Sequence, residues 1–236
     1  MKIAILQCDD VLDKFQPEFG NYPEMIRDMM LERDEGLAFD IFDVRKGRYP
    51  NTVNEYTCYM ITGSKSSVYD GDAWIQTLID FVYQLHTNKQ KIFGICFGHQ
   101  IIGKALDAKV EKSSKGWGVG VATNSIVNQP TWMEAEGDEF NLLVSHQDQV
   151  IDPPTSVSIL ARTDFCPNFM VLWSETTLSV QGHPEWVHGY SRALINNRRG
   201  VIPEDVIGRG IDSLSKPIHN SLFASWVLSF LNQNID

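Results

Sequence analysis

Paired cysteines are missing from this chain. The four it has, Cys8, Cys58, Cys96 and Cys166, are widely scattered, and none stands in a C-x-x-C spacing. That excludes a disulfide framework and a cysteine-based zinc site, and it fits a reducing compartment. Clustered basic residues are missing too. Lys+Arg number 20 against 30 Asp+Glu, a formal net charge of −10, and no basic run exceeds a pair such as Arg198-Arg199. This balance argues against a nucleic-acid or anionic-membrane partner. No apolar run reaches transmembrane length, and the one at residues 3–6 is too short for a signal-peptide core. Internal repeats, low-complexity tracts and linkers are also absent. The expectation is a soluble, cytoplasmic protein of one domain over residues 1–236.

What is present is an alternation of short apolar runs with amphipathic stretches. Residues 2–6, 38–44, 56–62 and 91–95 read as strands, and 22–35, 72–85 and 97–106 as helices. Met25, Ile26, Met29 and Met30 share one stripe of the first helix, which reads as a core face. Asp70 or Asp72 stands where the next helix needs a cap. Between the first strand and the first helix, residues 8–21 form an acidic insert carrying Asp9, Asp10, Asp13 and Glu18. Strand–helix–strand repetition implies right-handed crossovers and a largely parallel sheet. Further on, 109–111, 118–127, 141–144, 157–162, 169–173 and 178–181 read as short strands, some in antiparallel pairs. Residues 187–197 and 217–232 read as helices of a C-terminal extension spanning 187–236. The expected architecture is α/β, a three-layer open sheet with helices on both faces. Its working groups should gather beyond the carboxyl ends of the parallel strands.

One stretch organises the rest. Residues 91–95 form a strand buried on both faces, and a helix follows at once. Between them runs Gly94-Ile95-Cys96-Phe97-Gly98, a thiol at a strand-to-helix corner with glycine two residues away on each side. This is the pattern of a nucleophile elbow with cysteine in place of serine. A helix N-terminus and a partner imidazole both lower a thiol pKa, which makes such a cysteine an attacking group. A buried cysteine beside two turn glycines is the bland alternative, so the thiol needs partners.

An attacking thiol needs a base and a group that orients the base. Of six histidines, His183 follows an apolar strand and opens His183-Pro184-Glu185-Trp186, which lets the carboxylate fold back onto the imidazole. His183, Glu185 and His188 also resemble metal-ligand spacing, but Pro184 prevents the continuous helix that such ligation needs. No metal or other cofactor is expected. Gly63-Ser64-Lys65-Ser66 resembles a phosphate loop only superficially, since Lys65 does not follow a glycine. Ser145-His146-Gln147-Asp148, at a strand end, is either an ordinary loop or a grip on a polar substrate.

Three ordered motifs, Gly94 to Gln100, Ser145 to Asp148 and Gly182 to Glu185, resemble the class I glutamine amidotransferases. The likeness is strongest to the glutaminase domain of GMP synthetase and to stand-alone relatives that include the γ-glutamyl peptidases. Lys115-Gly116-Trp117-Gly118 and the acidic insert fit the stand-alone branch. The resemblance implies a flavodoxin-like fold with Cys96 as nucleophile, His183 as base and then acid, and Glu185 as orienting group. It implies that Gln100, Ser145 and His146 hold the substrate, with oxyanion donors at Phe97 and in the Gly63-Ser64 turn. Two positions depart from the family pattern: Ser64-Lys65 replaces a more usual Gly-Pro, and Gln147 an often-found glycine.

Three main functions share these residues. The first is hydrolysis of the γ-amide of glutamine, with the ammonia passed to a separate synthetase partner, since no segment here resembles an ATP-dependent synthetase. The second is a γ-glutamyl peptidase or hydrolase acting on small γ-glutamyl compounds. The third is a binding subunit that keeps the fold and is catalytically silent. Weaker than these is a fourth reading, a protease of the same elbow architecture.

Overall fold

Alternate residues of the central strands enter opposite layers, as strand geometry requires. In the computed structural model, which describes residues 1–135 and 137–233, Ile3, Ile5, Met60, Phe93 and Ile95 face one core, and Ala4, Leu6, Tyr59, Ile61 and Ile92 the other. The chain begins with β1 (Lys2–Gln7), α1 (Gln16–Phe19), α2 (Tyr22–Leu31), β2 (Ala38–Asp43) and a 3₁₀ turn at Val44–Lys46. It continues through β3 (Cys58–Ile61), α3 (Ala73–Thr87), β4 (Lys91–Ile95) and α4 (Phe97–Ala105). Then come β5 (Lys109–Lys112), β6 (Gly118–Ile126), β7 (Glu139–His146), β8 (Asp148–Asp152), β9 (Ser158–Arg162), β10 (Met170–Ser174) and β11 (Thr177–Val180). Helices α5 (His188–Asn197), α6 (Glu204–Ser213) and α7 (Asn220–Leu231) complete the order.

The sheet has 9 strands in the order β2-β1-β3-β4-β11-β10-β9-β6-β7. Its β2-to-β11 side is parallel, and from β11 onward neighbours are antiparallel. Side chains of α2 and α7 pack on one face and those of α3 and α4 on the other, giving the expected three layers. Most of the methionine stripe is core: Ile26, Met29 and Met30 are buried, while Met25 is half-buried and packs on a separate cluster. A third cluster joins α5 and α6 to β6 and β7 through Val121, Leu143, Tyr190, Leu194 and Ile207.

Several boundaries differ from the sequence reading, each for a local reason. Helix α2 stops at Leu31, and downstream the Asp34 carboxylate takes the Gly36 N–H at 2.9 Å and makes a turn. Helix α3 starts after Asp72, but neither candidate side chain caps it; Asp70 accepts from the Ser67 N–H instead, at 2.7 Å. Helix α7 starts at Asn220, because Pro217 and His219 are hydrogen-bonded to Asn141 on β7. The one-turn helix α1 inside the acidic insert, read as a loop, the 3₁₀ turn at Val44–Lys46, β8 and α6 were not anticipated. Strand β8 pairs with β5 in a separate two-stranded sheet, and α6 lies over β6 with only Ile207 and Gly210 buried.

Candidate active site

The parallel ladder delivers Cys96 to its place. The Cys96 N–H donates to Val180 O at 2.8 Å, continuing the β4–β11 pairing by one residue. Its own carbonyl accepts from Gln100 N at 3.1 Å, the first bond of α4. Held from both sides, Cys96 adopts φ 51°, ψ −97°, a left-handed conformation that costs a non-glycine residue about 1–3 kcal/mol. The flanking glycines are required by contact. A Cβ on Gly94 would lie 2.6 Å from the Gly98 backbone, and one on Gly98 would lie 2.6 Å from Ile61 O. Phe97 is the first residue of α4, so its N–H has no partner within the helix.

His183 arrives from the neighbouring strand end. Its N–H donates to Leu143 O at 2.8 Å, its ring stacks on Trp186 with centroids 3.5 Å apart, and its Nδ1 lies 2.7 Å from Glu185 Oε1. The fold thus brings His183 and Glu185 together, and both are buried. The second carboxylate oxygen, Oε2, has no hydrogen-bond partner among the described residues, so this carboxylate serves the imidazole alone. Gly63 closes the triangle, since a Cβ there would lie 3.0 Å from His183 Cε1 and 3.7 Å from Cys96 Cβ. Ser64 follows without a left-handed φ, so serine at this departure from the family pattern is unstrained.

Charge state follows from these contacts. Burial disfavours a charged imidazole, but the Glu185 carboxylate and Cys96 outweigh it and raise the His183 pKa to about 9. His183 therefore holds two protons at neutral pH. Burial pushes His146 the other way, to about 4, so that ring is neutral; its Nδ1 sits 3.2 Å from Asp148 O.

A cleft of about 220 Å³ opens over Cys96, walled by the 64–67 turn, by Ser145 to Asp148, and by Lys112, Trp117 and Arg198. Gln100 lines it too, but directs its amide inward, to Asp148 O at 2.9 Å and Gln181 Oε1 at 3.2 Å. Gln181, read from sequence only as the end of a strand, in turn donates to Cys96 Sγ at 3.4 Å. Arg198 is the second residue the sequence reading missed. It follows the last residue of α5, donates to Ser145 Oγ at 2.5 Å and lies over the Trp117 ring, 5.5 Å from its centroid. No carboxylate among the described residues pairs with it. His188, weighed as a metal ligand, instead bonds Lys216 O at 2.9 Å.

Comparison with known proteins bears on the family and the fold. The family model for class I glutamine amidotransferases matches residues 25–199, well over half the chain. Gamma-glutamyl peptidase 2 of Arabidopsis thaliana is 30% identical over 78% of this chain and 77% of its own length. A glutamine-hydrolyzing GMP synthase subunit from Sulfurisphaera tokodaii is 32% identical over 58% of this chain and 71% of its own. In structure, a glutamine amidotransferase from Thermotoga maritima superposes with a TM-score of 0.75 over 98% of this chain and 99% of its own, at 17% identity, which speaks for the fold. The chain belongs to the class I glutamine amidotransferase family.

Proposed function

We propose that this protein hydrolyses the γ-amide bond of glutamine or of a small γ-glutamyl compound through a thioester on Cys96. The observation that carries the reading is that a thiol at a strained helix N-terminus, facing the cleft, meets a carboxylate-held imidazole across their shared neighbour Gly63. The Cys96 thiolate attacks the γ-carbonyl carbon, and the carbonyl electron pair moves onto oxygen. The N–H groups of Phe97 and Ser64 take that oxyanion, each worth about 3–4 kcal/mol in a dry site. His183 gives its Nε2 proton to the departing nitrogen, and the C–N bond breaks. Water then attacks the thioester while His183 takes its proton. The tetrahedral intermediate expels the thiolate and leaves glutamate. Gln181 keeps a donor on the sulfur whenever it carries charge.

Two leaving groups fit this chemistry, ammonia from glutamine and an amine from a γ-glutamyl peptide. The peptidase reading is supported by the Arabidopsis relative, and the glutaminase reading by the GMP synthase relative, which would call for a separate synthetase partner. Measuring ammonia and amine release separately from the isolated protein, with glutamine and with γ-glutamyl dipeptides, decides between them. A folded protein that turns over neither, and whose Cys96 resists a diazo-ketone analogue of glutamine, sinks both.

A carboxylate-bearing substrate is supported by Arg198. Its guanidinium is tied to Ser145 through Nη1, which leaves further donors for a planar carboxylate in the cleft. Arg198→Gln is expected to raise KM roughly tenfold to a hundredfold, the worth of a charged hydrogen bond, with kcat little changed. Arg198→Lys should recover only part of the loss. Steady-state kinetics with one substrate provide the check, and an unchanged KM removes Arg198 from the binding site.

The raised His183 pKa makes a second prediction. Only protonated His183 can protonate the leaving nitrogen, so turnover should fall as pH rises through about 9. Glu185→Gln removes the largest cause of the upward shift, and the alkaline fall should move toward neutral pH. The stability sign agrees: the folded pKa exceeds the unfolded value near 6.5, so this contribution is complete below that value and is lost as pH rises through about 9. A pH–kcat profile of the two proteins tests the shift.

A further inference from the structure

The acidic insert after β1 has a task at the site. Strands β1 and β3 pair in parallel up to Leu6 and Ile61, where their ladder ends, and the Thr62 N–H adds one more bond to Leu6 O at 3.1 Å. Beyond that point side chains continue the connection. The Cys8 N–H donates to Thr62 Oγ1 at 2.9 Å, and Ser64 Oγ donates to Cys8 O at 3.2 Å. Asp9 finishes the seam. Its Oδ2 accepts from the Lys65 N–H at 3.0 Å and its Oδ1 from Lys65 Nζ at 2.9 Å, with Arg45 Nη1 at 3.6 Å behind it. Asp9 is only 5% exposed, although it belongs to a loop.

The residues so held are those of the Gly63-Ser64-Lys65 turn, which crowds His183 and Cys96 and walls the cleft. A donor aimed at a developing oxyanion is effective only if it is fixed before the charge appears. We infer that Asp9 is a positioning residue: by clamping both donors of Lys65 it fixes the turn that presents the Ser64 N–H to the substrate oxyanion. The inference rests on the thioester reading above. It assigns to the first residues of the insert the work of a brace beneath the site. The rest of the insert packs elsewhere: Phe15 and Phe19 stand edge-on to Tyr190, which stands edge-on to Trp186, the ring beneath His183.

Asp9→Asn keeps the shape and removes one acceptor oxygen, so one of the two Lys65 donors must face an NH₂ group. The expected result is a kcat lowered about tenfold to a hundredfold, short of the 10²–10³ that complete loss of an oxyanion donor costs. KM should hardly move, because the ground-state carbonyl makes little of that contact. Two readouts separate positioning from general damage. Inhibition by glutamate γ-semialdehyde, which forms an oxyanionic adduct with the thiolate, should weaken in step with kcat. Alkylation of Cys96 by iodoacetamide displaces iodide at a saturated carbon without an oxyanion, and should keep its wild-type rate. Ser64→Ala, which removes the Cys8 tether and keeps the N–H, serves as the milder variant if Asp9→Asn does not fold; its kcat should fall a few-fold with KM held. Wild-type kcat in Asp9→Asn, or a kcat loss matched by slower alkylation, overturns the brace. Turnover that survives Cys96→Ala overturns the thioester reading instead, and the brace falls with it.

Discussion

Cys96→Ala should lower turnover of glutamine or any γ-glutamyl amide by roughly 10⁴–10⁶, the scale seen when the nucleophile of a catalytic unit is removed. The size of the effect follows from the path. Without sulfur no thioester forms, and the oxyanion donors and imidazole can assist only direct attack by water. The fold should survive, because alanine retains the Cβ and the same strained φ of 51°. Two further readings make the test specific. Stoichiometric labelling by a diazo-ketone glutamine analogue should disappear. The His183 pKa should also drop from about 9, since Cys96 is one of the groups that raise it. An imidazole titration unchanged by Cys96→Ala would mean that the two side chains do not communicate, even if activity were lost.

How much of this could be seen in the chain depended on how locally each feature is encoded. The elbow was legible because its parts are contiguous: an apolar run, a glycine on each side of the thiol, and an amphipathic helix. His183 and Glu185 were legible because Pro184 between them restricts the backbone to a fold-back. Gln181 was not, since its value depends on the parallel pairing of β11 with β4 and on Gln100 reaching it from α4. Arg198 read as half of a surface charge pair, and only the packing of α5 against β7 carries it over Ser145. Helix α6 escaped notice for a plainer reason: its apolar stripe of Val206, Ile207 and Ile211 is interrupted by Gly208 and Gly210, which read as breakers in a helical pattern. The insert is the most instructive case. Its acidic residues look solvated in sequence, yet Asp9 is buried because Lys65 and Arg45 converge on it from the ends of two other strands.

The elbow also makes a stability prediction, the largest one the backbone supports. Gly98→Ala would place a methyl 2.6 Å from Ile61 O and 2.8 Å from Ile61 Cβ, and Gly94→Ala would place one 2.6 Å from Gly98 C, Gly98 O and Ile102 Cδ1. The opposing atoms are mostly backbone, fixed in β3 or α4, so relief requires the helix to move away from the sheet. Overpacking of this kind costs about 1–3 kcal/mol or more. In a chain of this size that lowers Tm by roughly 2–12 °C. A shift of the helix start by even about 1 Å would misplace Cys96 and Phe97 enough to cost some 10²-fold in rate. Each variant should therefore lose stability and turnover together. Gly208→Ala supplies the control: this glycine sits in α6, exposed, without a left-handed φ and with no atom within 4 Å of an added Cβ. There the methyl should stabilise by about 0.4–1 kcal/mol and leave activity alone. Thermal melts and kcat on all three variants complete the test. A Gly98→Ala protein that melts and turns over like the wild type would mean that α4 does not rest against β3 as closely as these contacts require.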